Sequence, residues 1–506
     1  MTEDIFVGGG GEGHLAPQRL LLRHANRHGL VAGATGTGKT VTLQVLAEGL
    51  SLAGVPVFLA DVKGDLAGLA LPGSEAAGPH RAFVERAAKI GMDLVYRGFP
   101  VTFWDIYGQA GHPVRTTVAE MGPLLLSRLL DLSEAQEGVL TVAFRLADEE
   151  GLPLVDLRDL QAMLAFVAGN ASTVSARYGL VTPASVGAIQ RRLLVLESEG
   201  GALLFGEPAL ELADLMQVAP DGMGRIGILA ADRLMQSPRL YATFLLWLMS
   251  ELFEELPEVG DAEKPKLVLF FDEAHLLFDD APKALLDKIE QVARLIRSKG
   301  VGIFFITQRP GDVPGDILAQ LGNRVQHALR AFTAKDQKDL RQAAETYRPN
   351  PRFATDEAIR DVGTGEAVTS FLEPKGVPGM VERTLIRPPA SQLGPISPEE
   401  RAEVMRGSPV AGKYDRLLDR DTAFERLAAR TAAATGATEA APAPDDEREF
   451  SRGQRYGGPS SRQTGSSGRR SDSVAEAFAK SFARQIGSRA GREIVRGVLG
   501  TLFRRR

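Results

Sequence analysis

A chain of 506 residues, 44% hydrophobic and 24% charged, has an ordinary globular composition and enough length for roughly two to four domains. A formal net charge of −5 excludes a bulk basic character, so any nucleic-acid surface must be local. The absence of cysteine excludes disulfides, thiol catalysis and cysteine-ligated metals.

The first residues, MTEDIFVGGGGEG, lack the basic start and apolar stretch of a secretory signal, and no run of about 18 apolar residues offers a membrane-spanning helix. A cytoplasmic protein without a transmembrane segment is expected. HGLVAGA is an apolar run ending in small residues, and GATGTGKT follows over Gly33–Thr40. Next comes VTLQVLAEGLSLAG, with apolar residues at helical spacing at Val41, Val45, Leu46 and Leu50. VPVFLA reads as a second strand running into Asp61, Lys63 and Asp65 of DVKGD. Two short strands around one helix make a βαβ unit and hence a parallel α/β sheet.

Residues 1–74 therefore read as the first part of the α/β core. Residues 75–260 carry helical periodicity in RAFVERAAKI, GPLLLSRLLDL, LRDLQAMLAFVA and SVGAIQRRLLVLE, broken by short strands near Pro100–Trp104 and Gly224–Leu229, and read as a mainly helical insertion. Residues 261–390 resume the sheet, with LVLFF over Leu267–Phe271, a helix in ALLDKIEQVARLIRSKG and a buried strand in VGIFFITQ. Residues 391–430 read as a helical extension. Residues 431–472, rich in Ala, Pro, Gly and Ser, read as a disordered linker, and 473–506 as a basic amphipathic C-terminal helix with Val474, Phe478, Phe482 and Ile486 in register. That helix suits nucleic-acid phosphates, an anionic membrane surface or protein docking on a neighbouring subunit.

The spacing of Gly33–Thr40 matches G-x-x-x-x-G-K-[ST]. Gly33, Gly36 and Gly38 let the backbone curl, so that N–H groups of Ala34, Thr35, Thr37 and the residues up to Val41 converge on a polyphosphate. Lys39 supplies a cation to the β- and γ-phosphates, and the Thr40 hydroxyl a ligand to Mg²⁺. Such a loop needs an acidic partner. Asp272, ending LVLFF, is the expected Mg²⁺-ordering aspartate, and Glu273 beside it the base that takes a proton from water. Gln308, ending the next strand, is placed to sense the γ-phosphate or hold that water. Asp61 is a further candidate for positioning Mg²⁺ or water. Arg294 and Arg297 precede the Gln308 strand on one helical face, and Arg297 is the preferred arginine finger reaching into a neighbouring subunit; Arg324 and Arg330 are weaker candidates. The letters DEAH also name a helicase box, but no second nucleotide-binding-like domain accompanies them here. No N-K-x-D motif reads guanine, so ATP is the expected nucleotide.

These segments, RHGLVAGATGTGKTVTLQVLAEGLS, GVPVFLADVKGDLAGLA, LVLFFDEAHLLF, RLIRSKGVGIFFITQRPGDVP and LGNRVQHALRAFTAKDQKDLR, give a chain that resembles the HerA/FtsK superfamily of P-loop ATPases and looks most like bacterial HerA-helicase-like proteins. The resemblance implies a RecA-like α/β core with a mainly parallel sheet. It assigns the roles of polar sensor to Gln308, finger to Arg297 and early acid to Asp61. It implies a homo-oligomeric ring, expected to be a hexamer, with ATP and Mg²⁺ between subunits and double-stranded DNA as the candidate partner. With the phosphate loop at residue 33, no room is expected for the N-terminal barrel that docks a nuclease in HerA. The expected function is an ATP-hydrolysing DNA translocase or helicase-like motor. The alternative is a nucleotide-dependent regulator or assembly ATPase that does not move DNA.

Overall fold

The computed structural model describes residues 3–439 apart from 261, 280–282 and 332. The expectations for residues 440–506 lie outside the described residues. The chain divides into two compact units, one of residues 1–116 and 198–418, the other of 117–197 and the chain from 419 on.

The first unit is built on one 12-stranded sheet. Its strands are β1 (Asp4–Gly10), β2 (Ala16–Leu21), β3 (Gly29–Ala32), β4 (Val57–Asp61), β5 (Val101–Asp105), β6 (His112–Pro113), β7 (Ile226–Ala230), β8 (Leu267–Phe271), β9 (Val301–Thr307), β10 (Asn323–Gln326), β11 (Glu366–Ser370) and β12 (Glu382–Ile386). They lie in the order β2-β1-β12-β11-β10-β3-β9-β8-β4-β7-β5-β6. From β10 to β6 every neighbour is parallel, whereas β10, β11, β12, β1 and β2 pair antiparallel. A parallel strand covered on both faces tolerates apolar residues at every position. Accordingly VFLAD, LVLFF and VGIFFIT are buried throughout β4, β8 and β9. The three strands between residues 75 and 260, β5, β6 and β7, belong to this sheet, with β7 paired to β4 from Val57↔Ile226 to Asp61↔Ala230.

The order places β9 between β3 and β8. Register sets Ala32 opposite Thr307, Phe271 opposite Phe305 and Leu59 opposite Phe270. Four parallel strands therefore end near one edge of the sheet, where ligands of open α/β sheets bind.

A buried ion pair ties the helix Lys39–Leu52 to the chain after β12. Arg387 Nη1 donates to Glu48 Oε2 at 2.9 Å, and its Nη2 to the Val45 carbonyl at 3.1 Å. Glu48, fully buried, also accepts from the N–H groups of Ala390 and Ser391 and from the Ser391 hydroxyl. Each buried charge is thus compensated, which is the condition for tolerating it. Arg387 Nε further donates to the Phe6 carbonyl, holding β1 to the same helix.

His28 joins three elements ahead of the site. Its φ is 55°, and its ring is buried. Nδ1 accepts the Ile303 N–H at 3.0 Å, so Nε2 carries the hydrogen and donates to the Ala293 carbonyl at 2.6 Å. Both nitrogens are spent in the neutral form. Burial, with a smaller push from Arg297, lowers the pKa to about 4. Acid protonates the unfolded chain first, so this contribution is complete above about pH 6.5 and is lost as pH falls towards 4. For one such site the loss at pH 5 is about 2 kcal/mol. His327, lowered to about 4 by burial, has the same sign. Urea unfolding at pH 7.5 and pH 5 tests this: His28→Asn, a residue that accepts positive φ, should lose less stability than the native chain on acidification, by about 2 kcal/mol. Equal losses in both proteins would remove His28 as a source of the pH dependence.

The second unit is helical. It contains Val118–Leu129, Glu134–Glu149, Leu157–Gly169, Ala171–Tyr178, Pro183–Ser198 up to its last residue, and Ala423–Glu439. Asp156 caps the helix Leu157–Gly169 by accepting from the N–H groups of Arg158 and Asp159. Buried Asp159 returns bonds to the N–H groups of Val155 and Asp156 and accepts from Phe424, so the helix Ala423–Glu439 is anchored at its start. That helix runs through residues 431–439, within the stretch that composition assigns to the linker; its alanines favour helix.

Candidate functional site

The phosphate loop sits at the carboxyl end of β3, ahead of the helix Lys39–Leu52. Gly36 and Gly38 take φ of 77° and 112°, backbone that only glycine adopts at little cost. A Cβ on Gly36 would meet nothing within 4 Å, so the loop is open there. On Gly38 it would press within 3.2 Å of the Gly365 backbone, whose N–H donates to the Thr37 carbonyl at 3.1 Å. Thr37 Oγ1 closes the loop onto the Ala34 carbonyl at 2.7 Å. Thr35 is exposed, and Thr40 and Val41, in the first turn of the helix, are half-buried. This helix start presents unpaired N–H groups and the positive end of the dipole to an anion.

Lys39 is buried, with Nζ donating to the carbonyls of Gly33 at 2.6 Å and Ala34 at 3.2 Å. Burial, then the charge of Lys63, holds its pKa below the usual lysine value, while Glu273 and Asp272 oppose that shift. The contiguous parallel strands β3, β9, β8 and β4 end at this edge and bring Lys39, Asp272, Glu273 and Lys63 to it.

Asp272 follows β8. Burial, then neighbouring Glu273, pushes its carboxyl up to about 6, and its Oδ1 accepts the Glu273 N–H at 2.9 Å. Glu273 has φ 48° and ψ 47°, an uncommon setting for a side chain of this length. The turn aims its carboxylate along the sheet edge. Oε2 lies 3.5 Å from Gln308 Nε2 and 3.4 Å from His275 Nδ1, and Oε1 lies 3.8 Å from Lys63 Nζ. Gln308 itself is exposed. Thr40 and Asp272 offer only oxygen, the donor type preferred by Mg²⁺. Among the described residues no cluster of three or more histidine, aspartate and glutamate side chains forms a metal site of its own.

Asp61 is nearly buried at the end of β4. Its Oδ1 accepts from the N–H groups of Gly64 and Asp65, and its Oδ2 from Leu66. Both oxygens shape the turn that carries Lys63. Burial outweighs these bonds and raises its pKa to about 6.

The arginines separate. The helix Lys283–Ile296 ends one residue before Arg297, which opens a single tight turn ahead of β9, at the sheet edge opposite the phosphate loop. Arg294 pairs with Glu290 one turn back, at 3.3 Å. Arg324 donates to the carbonyls of Leu321, Thr346 and Leu318 and so braces its own neighbourhood. Arg330 is exposed.

Two supports escape sequence reasoning. His327, just past β10, contacts Thr42 Oγ1 through Nε2 at 2.8 Å and donates from Nδ1 to the Glu366 carbonyl at 2.9 Å. A Cβ on Gly33 would lie 2.5 Å from its Cβ, so it packs against the loop. Tyr241, buried on the helix Pro238–Glu255, donates its hydroxyl to the Asp272 carbonyl at 2.7 Å and fixes the acidic turn. No local pattern marks either residue, because both act through partners distant in sequence.

Comparison with known proteins follows the same lines. The family model described as "Helicase HerA-like C-terminal" matches residues 12–506. A probable helicase of Methanocaldococcus jannaschii is 31% identical over 120 residues, and the match spans 22% of this chain and 22% of that protein. Among solved structures, the plasmid coupling protein TrwB in complex with the non-hydrolysable GTP analogue GDPNP superposes with a TM-score of 0.51 at 16% identity, covering 79% of this chain and 92% of that one. VirB4 of Thermoanaerobacter pseudethanolicus gives 0.48 at 15% identity, covering 79% and 98%. The likeness to TrwB is one of fold: an α/β, mainly parallel, RecA-like P-loop domain. No helix among the described residues is long and apolar enough to cross a membrane.

Proposed function

The chain belongs to the helicase HerA-like C-terminal family, and on that premise we propose that it is a Mg²⁺-dependent ATP hydrolase that assembles into a ring, a hexamer, and works as a motor on double-stranded DNA. The observation that carries the hydrolase reading is the convergence of Lys39, Asp272, Glu273 and Gln308 from three adjacent parallel strands. The loop backbone and Lys39 hold the polyphosphate. Thr40 and Asp272 would hold Mg²⁺, which would neutralise charge developing on the transferred phosphate. Glu273 accepts a proton from water as the water oxygen bonds to the γ-phosphorus and the bond to the β-phosphate oxygen breaks, releasing ADP. Gln308, beside Glu273, orients that water. TrwB, similar in fold, is solved with a nucleoside triphosphate analogue. The DNA reading rests on the family and on the helicase name of the archaeal relative.

The test is ATP hydrolysis by the full chain with and without double-stranded DNA, using Glu273→Gln as the blank. A motor should be stimulated about tenfold or more, with DNA binding weakening steeply as salt rises through loss of phosphate contacts. A blank-subtracted rate indifferent to DNA would favour the nucleotide-dependent assembly protein instead.

A further inference from the structure

Lys63 is a charged group at this edge to which the mechanism above gives no task. It sits in the turn after β4 whose backbone is fixed by three bonds to Asp61, with φ of 72° at Gly64. The backbone is therefore set, while the side chain is 42% exposed and reaches Glu273 Oε1 at 3.8 Å. That separation is a loose ion pair rather than a hydrogen bond, and a half-exposed pair of this kind contributes little stability. Its turn follows β4 at the same carboxyl edge of the sheet where β3 runs into the phosphate loop and β8 into Asp272. Two lysines and two carboxylates there nearly cancel. A polyphosphate adds several negative charges, and a doubly charged terminal phosphate offers more acceptor oxygens than one carboxylate.

We propose that Lys63 is a second phosphate-binding lysine, which exchanges Glu273 for the terminal phosphate of ATP and thereby leaves the Glu273 carboxylate available to take the proton from water. The proposal rests on the hydrolase reading above. It gives the site a means of telling ATP from ADP, because only the third phosphate extends from Lys39 towards Glu273 and Lys63. It also gives Asp61 a purpose: the aspartate holds the turn that aims the lysine.

The test is affinity of the full chain for a non-hydrolysable ATP analogue and for ADP, each with Mg²⁺, in the native protein, Lys63→Met, Lys63→Arg and Lys39→Ala. One charge-assisted hydrogen bond corresponds to about a tenfold to hundredfold change in affinity. Lys63→Met is expected to weaken the ATP analogue by that factor while ADP stays within about twofold, with kcat for ATP falling about tenfold or more and Lys63→Arg recovering most of both. Unchanged affinity for the ATP analogue, or equal losses for the analogue and ADP, would overturn the assignment. Lys39→Ala separates the two failures. If it binds both nucleotides as the native chain does, the phosphate-loop reading itself falls. If it loses both while Lys63→Met keeps the ATP analogue, only the role of Lys63 falls.

Discussion

Replacing Arg297 by alanine is expected to lower ATP turnover by about 10³- to 10⁵-fold, the range found where an arginine finger completes a phosphoryl-transfer site. The geometry forbids this residue from acting on its own nucleotide. It precedes the amino end of β9, and Gln308 follows the carboxyl end. At about 3.3 Å per residue, β9 holds the two some 20 Å apart, beyond the reach of any side chain. A finger at Arg297 therefore requires a second copy of the chain. His28 supports the arrangement by binding Ala293 in the last turns of the preceding helix and Ile303 in β9, on both sides of Arg297. The decisive measurement mixes Arg297→Ala with Lys39→Ala subunits. Each variant alone is expected to be nearly inactive, but an interface joining an intact phosphate loop to an intact finger should recover part of the native rate. Absence of recovery in demonstrably mixed rings would remove the finger. Arg294→Ala, which disturbs only an exposed pair with Glu290, should change turnover little.

The legible parts of this fold are those whose signal is local. The phosphate loop is a fixed spacing, and β4, β8 and β9 are unbroken apolar runs because both faces of a parallel sheet are covered. β5 and β7 are equally apolar, yet sequence reads them as interruptions of a helical insertion. Nothing in VTFWD or IGILA says that the two pair with each other across the residues between them. The hairpin β1–β2 is hidden by its glycines. A Cβ on Gly8 would lie 2.2 Å from the Leu385 carbonyl oxygen, so glycine there permits close strand approach. At the site, the acids and Lys39 are legible by motif. His327, Tyr241 and the pairing of Lys63 with Glu273 are not, since each depends on a contact made only after the sheet has formed.

Glu273→Gln should keep ATP binding and lose about 10² to 10⁴ in turnover, the usual worth of a positioned general base. The amide preserves size and one acceptor oxygen but cannot take a proton from water. The backbone already shows what the site spends on this side chain: φ of 48° is adopted so that the carboxylate lies between Gln308, His275 and Lys63 rather than pointing away from the sheet edge. Asp272, one residue earlier, does not substitute for it. Its carbonyl is held by Tyr241 and its Oδ1 accepts the Glu273 N–H, so it is fixed within the turn. The measurement pairs nucleotide affinity with single-turnover hydrolysis. Native-like affinity with a turnover loss confined to the chemical step identifies the base. Native turnover in Glu273→Gln would transfer the role to His275, 3.4 Å from the same carboxylate, and His275→Ala would then carry the loss that Glu273→Gln did not.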